Sequence, residues 1–548
     1  MPTLRTNRSA RPHPSRLKRA DLLAVERGAL PFNQNARLRV ALVYPNSYRV
    51  GMANLGFQTV YRLFNTQKDV RCERAFVDPD SRIPPCTLET GERLGRFDVV
   101  AFSLSFEPDL VHLIRALIES GIPPLAENRS RQDPLVLTGG IAASLNPMPV
   151  SIFSDAVVAG EVETVISQLT GILLNARMSK SFRNEAIDGL SDMPGVLIPS
   201  DKHPIIRNVT DHLDAHPTYT PVVTPRSHFG DMFVLELGRG CDKGCFFCAA
   251  CKVYRPCRYR SHDTILKTVA EQNHGSRRIG LEGAGISGYP HLETLAGNLG
   301  QSGLELAFSS IRADRVTSGL VDVMETGNVR SITLAPETGT EHLRRQIGKG
   351  ISDDQMFEAM NRLRGRSIRN LKLYFLIGLP GETESDLAAV VTLVRSMAQT
   401  FRANRYERTV RVGVSGFVPK PFTEFQWASM NSEKLIARKR SHIYAQLRNE
   451  TGIVTIPKSA REESLQGVIS LGDEQVGRAL LDSELTGMPW KRTLKQQGLS
   501  VDKILTSCRS PDEPLPWDVI RYDVPRALLW KRFQKIISNQ NVSETTRS

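Results

Sequence analysis

The chain has 548 residues, 40% of them apolar and 24% charged, with a net charge of +13 and an isoelectric point near 9.4. That length exceeds one ordinary domain, and no apolar run approaches the ~18 residues of a membrane span. The basic opening, MPTLRTNRSARPHPSRLKRA, lacks the apolar core of a secretory signal, so a cytoplasmic protein with reduced thiols is expected rather than a disulfide-built secreted one.

Residues 1–37 read as a basic, disordered tail, carrying Arg5, Arg8, Arg11, Arg16, Lys18 and Arg19. Folding is expected to begin at 38. RVALVYP (39–45), FDVVAFSLSF (97–106), PLVLTGG (134–140) and the start of DAVVAGEVETVISQL (155–169) are apolar strand candidates. Helical patterns over 51–65, 109–123 and the end of 155–169 alternate with them. Strands that are apolar throughout argue a parallel, doubly wound sheet covered on both faces, over 38–175. Its ligand crevice would lie at the strand carboxyl ends, where Ser105, Gly139, Gly140 and Gly160 fall. Residues 176–230 are rich in proline and read as a linker.

A second βα series runs over 231–427. Its strand candidates are 232–238, 277–283, 304–310, 330–336, 371–380 and 409–417. Six βα units predict a partial (β/α)6 barrel of the TIM type, with its active site at the strand carboxyl ends. Residues 428–548 read as mostly helical. The fold class is therefore α/β: a Rossmann-like sheet, a barrel and a helical carboxyl-terminal region.

Five of the eight cysteines lie in GRGCDKGCFFCAACKVYRPCRYR (238–260), directly after the first barrel strand. Cys241, Cys245 and Cys248 are spaced C-x3-C-x2-C. A structural zinc site usually takes four ligands from two separated knuckles, whereas one short loop wrapping a metal body is the habit of iron–sulfur sites. Three thiolates on a four-iron cube leave one iron open for chemistry. Cys251 and Cys257 follow; either would close the site if it became a fourth ligand, and loop packing is the competing role. The excess positive charge raises the prospect of a nucleic acid or another anionic partner, against the plain reading of a solvated basic surface.

C-x3-C-x2-C with Phe247 before its last cysteine resembles the signature of radical S-adenosylmethionine (SAM) enzymes. The resemblance implies a [4Fe–4S] cluster on Cys241, Cys245 and Cys248, with the methionine moiety of SAM on the fourth iron. It also implies cleavage to a 5′-deoxyadenosyl radical, and an electron donor of the flavodoxin or ferredoxin type. LEGAGISGYP (281–290), FSSIRADRV (308–316), APETGTEHLRR (335–345) and LYFLIGLPGET (373–383) stand where the family cradles its cofactor. Phe247, Gly283, Gly285, Ser309, Arg312, Glu337 and Arg344 are the cofactor-binding candidates that this implies, with Ser310 and Arg345 as neighbours able to take the same parts.

YPNSYRVGMANLG (44–56), YRPCRYRS (254–261), FVPKPFTEFQW (417–427) and LPWDVI (515–520) extend the likeness over roughly 38–530. Together they resemble the cobalamin-binding-domain/radical SAM proteins. That resemblance implies a corrin lying on the amino-terminal sheet, near Gly139, Gly140 and Gly160, and methylation of an unactivated carbon. The D-x-H-x-x-G motif of cobalt-ligating domains is absent, so no histidine below the cobalt is expected. A domain that binds no corrin stays open, as does an RNA-modifying enzyme of the methylthio-transferase type. A non-enzymatic iron–sulfur or nucleic-acid-binding protein is the third alternative. No catalytic residue beyond the cluster ligands is assigned.

Overall fold

The computed structural model describes residues 18–545 except 29, 31, 202 and 404–406. The amino-terminal unit is built on β1 (Leu38–Tyr44), β2 (Val70–Phe76), β3 (Val99–Ser103), β4 (Leu135–Gly139), β5 (Ala156–Val158) and β6 (Val196–Leu197). The strands lie in the order β2-β1-β3-β4-β5-β6, all parallel except β6. Helices α1 (Leu55–Asn65), α2 (Leu110–Glu119) and α3 (Ile166–Ala176) connect them. Asn54 caps α1 by accepting the Phe57 N–H at 2.9 Å, satisfying a donor that the first helical turn cannot. The strand order reverses between β1 and β3, which places the ligand crevice of such a sheet at their carboxyl ends.

In this sheet β2 and β6 escape the sequence reading. β2, VRCERAF, carries Glu73 and Arg74 at 0% and 2% exposure. Burial of such charges requires pairing, and Arg71 bonds Glu73 at 2.8 Å while Arg74 bonds Glu26 and Glu89 at 2.7 Å. That pairing also corrects the expected tail. Residues 1–17 lie outside the described residues, but Arg19–Leu23 is helical, and Arg27 exchanges backbone hydrogen bonds with Val223. Folded chain therefore starts well before 38.

The barrel strands are β7 (Met232–Glu236), β8 (Arg278–Glu282), β9 (Glu305–Phe308), β10 (Ser331–Glu337), β11 (Asn370–Ile377) and β12 (Thr409–Gly416). They pair in parallel as β9-β8-β7 and β10-β11-β12, joined by an isolated parallel bridge between Ile311 and Leu334. A seventh parallel strand, β13 (Ile453–Ile456), extends the barrel beside β12 from within the region expected to be helical. Alternate residues face opposite ways. Phe233, Leu235, Ile279 and Leu281 are sealed at 0–1% exposure in the core shared with the surrounding helices. Glu236 and Glu282 fall on the other face.

Helices α4 (Ala460–Leu471) and α5 (Glu474–Thr486) return to the amino-terminal unit. Asn146 donates to the carbonyls of Ser470 and Gly472 at 3.1 and 2.7 Å. Arg115 pairs with Glu484 at 3.0 Å. Glu107 is held by Lys420 and by Gln466, the latter at 3.0 Å. No helix among the described residues is long and apolar enough to cross a membrane.

Candidate functional site

The carboxyl ends of the sheet face the barrel across a cavity of about 620 Å³, within the ~300–1,000 Å³ common for small-molecule and cofactor sites. Ser105, Gly139, Gly140 and Gly160 line its sheet side, and Gly238–Gly240, Glu282, Gly283, Ser309 and Ser310 its barrel side. Gly240, one residue before Cys241, and Val253 and Tyr254 beyond the cysteines also line it.

Gly140 and Gly160 are glycines for backbone reasons. At φ +105° and +96°, a Cβ would stand 2.4 Å from the Leu104 carbonyl oxygen and 2.2 Å from that of Asn208. Gly139 differs, since its Cβ would meet only the Val158 oxygen at 3.4 Å and Val158 Cβ at 4.0 Å. The GEVET turn after β5 is also not free to meet a ligand with its carboxylates. Glu161 binds Arg239 at 3.1 Å and Arg258 at 2.6 Å, and Glu163 binds Arg239. Arg239 further holds Glu236 at 2.9 Å, and Arg260 takes Glu236 at 2.6 Å. Arginines flanking the cysteines thus tie the two units together. Burial opposes ionisation of Glu163, yet Arg239 outweighs it and holds the carboxyl below its ordinary range. Lys252 is likewise consumed, by Glu424 at 2.9 Å. Arg239, Arg258, Arg260 and Lys252 are thus internal wiring, whereas Arg255 stands half exposed.

The cysteine loop is pinned from several sides. Phe246 donates its N–H to Ile347 at 3.0 Å and accepts from Phe425 at 3.3 Å. Phe247 packs against the core. Gly283 and Gly285 press on the loop so closely that a Cβ would stand 3.2 Å from the carbonyl oxygens of Gly238 and Gly240. Their smallness serves loop packing in the first place.

The thiols of Cys241, Cys245 and Cys248 form no disulfide. Burial pushes Cys241 up and Cys245 to about 11. A hydrogen bond from Cys251 outweighs burial at Cys248 and draws it down. The charges acting on Cys245 are those of Lys349, Cys248, Glu337 and Arg312, so a cationic pair stands beside the thiols, where it favours thiolate. Among the described residues no three such side chains close on a point tight enough for one ion. A cluster does not require that, because it spreads its thiolates over separate irons instead of gathering them at ~2.3 Å around one centre. The donor set fits a cluster.

Glu337 reaches this group from the end of β10, at a bulge where its own φ is +71°. It accepts from Lys349 Nζ at 2.9 Å. Burial opposes the charge on Lys349, but Glu337 and then Cys245 outweigh it and raise its pKa. Arg312 donates to Asp314 at 2.9 Å and to the Lys349 carbonyl at 3.0 Å. Ser309 donates to the Gly283 carbonyl at 3.3 Å.

Arg344 departs from expectation. It is fully buried, and its guanidinium is spent on the Ile351 and Thr338 carbonyls, at 2.8 and 3.0 Å, and on Asp353. It braces its own turn through Nε, Nη1 and Nη2. Arg345 points out, at 73% exposure. Lys349 and Arg239 were not singled out from the sequence. The pair of glycines around Lys349, both at positive φ, is the signal that marks a lysine held against another backbone.

Four glutamates line the cavity, and three are neutralised by arginine. Glu282 is not; burial, and then Glu236 opposite it in the β7–β8 register, raise its pKa above the ordinary 4.5. A raised carboxyl adds stability below 4.5 that is lost as pH climbs through the raised value. Glu282→Gln should therefore match the wild type in thermal midpoint near about pH 4 and exceed it near about pH 8. An equal difference at both values would rule out a shifted Glu282.

Residues 56–199 match the family described as radical SAM proteins, N-terminal, and residues 235–394 match the radical SAM superfamily. The chain belongs to the radical SAM superfamily. Enzymes of this superfamily use a [4Fe–4S] cluster and SAM, and need a reductant. This radical SAM chain is 24% identical over 446 residues to an uncharacterised protein of Methanocaldococcus jannaschii, covering 80% of this chain and 90% of that one. It is 25% identical over 230 residues to a tRNA-2-methylthio-N(6)-dimethylallyladenosine synthase of a Marinomonas species. That match covers 38% of this chain and about half, 49%, of the synthase. Among solved structures it is similar to the radical SAM methyltransferase TsrM from Kitasatospora setae with cobalamin and [4Fe–4S] cluster bound. That likeness has 14% identity and a TM-score of 0.48, over 71% of this chain and 73% of the other.

Proposed function

We propose that this radical SAM enzyme is a cobalamin-dependent methyltransferase acting on an unactivated carbon. Cys241, Cys245 and Cys248 hold the [4Fe–4S] cluster in this reading, and a flavodoxin- or ferredoxin-type donor reduces it. The cluster and SAM supply radical cleavage, and cobalamin supplies the methyl group. The observation that carries the reading is the cavity itself. It joins the carboxyl ends of the sheet to the barrel strands that lead into the cysteine loop. A corrin on the Gly139 side and SAM on the Gly283 side would thus meet over one shared space. The protein's part is to fix that facing arrangement through Arg239, to place Lys349, Glu337 and Arg312 beside the cysteine loop, and to exclude water with the apolar walls.

The chain expressed with cobalamin available and purified without oxygen is expected to retain near-stoichiometric corrin, read from its spectrum. Gly139→Leu should lose most of that corrin while keeping its iron, because the space beside Gly139 opens into the cavity. Gly140 is unsuitable for this test, since its Cβ would strike backbone. No retained corrin under several supply conditions defeats methyl transfer and leaves a radical SAM enzyme of another reaction. For the methylthio-transferase alternative, Cys72 is no help as a further cluster ligand. It is 0% exposed inside β2, and burial pushes its thiol well up.

A further inference from the structure

We propose that the exposed face of the carboxyl-terminal helix, Arg526–Thr545, is the docking surface for a small acidic electron-carrier protein that reduces the cluster. The inference rests on the assignment of Cys241, Cys245 and Cys248 as cluster ligands, and it gives the donor in that reading a place to bind. An aromatic stack joins this helix to the cysteine loop. Phe246 stands between Cys245 and Phe247, its ring edge-on to Phe425 at 6.3 Å. Phe425 meets Phe533 of the helix at 6.4 Å, and Phe533 meets Trp530 at 5.4 Å. Phe425 and Phe533 are buried, whereas Trp530 is half-buried. Two buried rings thus lead from the loop to a side chain at the surface. Beside them Arg532 reaches Glu424 at 3.2 Å, and Glu424 holds Lys252 of the cysteine window at 2.9 Å. Electron tunnelling weakens steeply with distance, so a carrier seated over this helix has a short, densely packed path to the loop.

The charge of the helix face is the second observation. Between Arg526 and Ser538 the helix carries Arg526, Lys531, Arg532 and Lys535 and no acidic residue. Lys531, Arg532 and Lys535 are exposed. Lys531 and Lys535 stand one helical turn apart and share a face. Leu528 lies one turn before Lys531 and Arg532 and, at 40% exposure, gives that face an apolar centre. Arg255, from the cysteine window, is half exposed at 3.7 Å from Asp523, just before the helix. Asp518, also before the helix, is paired with Arg526 at 2.9 Å. A small apolar contact rimmed by basic charge suits a weak, fast encounter with an acidic partner, the class of interface that electron carriers use. In that encounter one electron leaves the carrier's reduced flavin or iron–sulfur group and enters the cluster. The carrier is oxidised by one electron, the cluster is reduced by one, and no covalent bond forms or breaks.

The test uses the full chain, reconstituted anaerobically. It compares 5′-deoxyadenosine formation from SAM with two reductants, a reduced flavodoxin below saturation and dithionite. The double variant Lys531→Glu, Lys535→Glu is expected to lower the flavodoxin-driven rate about tenfold at low salt, within the range over which charge steers association. The dithionite-driven rate should not change. The wild-type rate with flavodoxin should fall as salt rises, and that of the variant should barely respond. Lys531→Arg with Lys535→Arg keeps the charge and should keep the rate. Arg532 is left in place because it also holds Glu424. A flavodoxin-driven rate unchanged by the charge reversal overturns the inference. An equal fall with dithionite overturns it too, since the damage would then lie at the cluster site. Lost retention of an RNA by the variant, with flavodoxin-driven turnover intact, overturns it in favour of a nucleic-acid surface. A wild-type chain that cleaves no SAM with dithionite defeats the cluster assignment itself, and the inference with it.

Discussion

Replacing Cys241, Cys245 or Cys248 by alanine is expected to abolish the visible absorption of the reconstituted protein and all formation of 5′-deoxyadenosine from SAM. The effect should be total for each single variant. An iron cube bound through three thiolates loses a corner with each. Cys251 points at backbone carbonyls, and Cys257 lies beside Tyr259 and near Cys241. Cys257→Ala is the control and should keep both signals. A Cys241→Ala protein that still carries four irons and cleaves SAM would remove the three-ligand assignment.

Arg239→Ala should produce the largest loss of stability among single substitutions at the junction of sheet and barrel. The side chain is 8% exposed and touches Glu161, Glu163 and Glu236. Removing one partner of a buried ion pair leaves an uncompensated charge, at about 3–5 kcal/mol. Arg258 and Arg260 still serve Glu161 and Glu236, so the abandoned group is Glu163. A second substitution, Glu163→Gln, should therefore recover a good part of the loss in the Arg239→Ala background, a coupling that a double-mutant cycle measures. Arg239→Lys should not rescue, because an ammonium cannot span three carboxylates as a guanidinium does. A thermal unfolding profile unchanged by Arg239→Ala would show that the clamp carries no weight.

The apolar strands β1, β3 and β4 and the cysteine loop were legible because each is local: a buried run or a fixed spacing declares itself without a partner. β2 was hidden because its charges are satisfied by Glu26 and Glu89, remote in sequence. β13 was hidden because IVTI is too short to separate from a helical context, and becomes a strand only beside β12. The same distinction divides the site. Glu337 sits next to recognisable strand-end residues, whereas Lys349 and Arg239 acquire meaning from groups elsewhere in the chain. Arg344 shows the converse: a basic residue in the expected segment that the fold turns inward, onto the Ile351 and Thr338 carbonyls.

Among the ties that hold the sheet to the rest of the molecule, two stand apart. One is the arginine clamp on the GEVET turn; the other is the clasp of Asn146 and Glu107 onto the carboxyl-terminal helices and the Lys420 loop. With a single tie, sheet and barrel would swing like a door, and the space between them would widen to suit its occupant. With two, the gap is a gauge whose width the protein sets before anything enters. Molecules are then sorted by thickness as well as by chemistry.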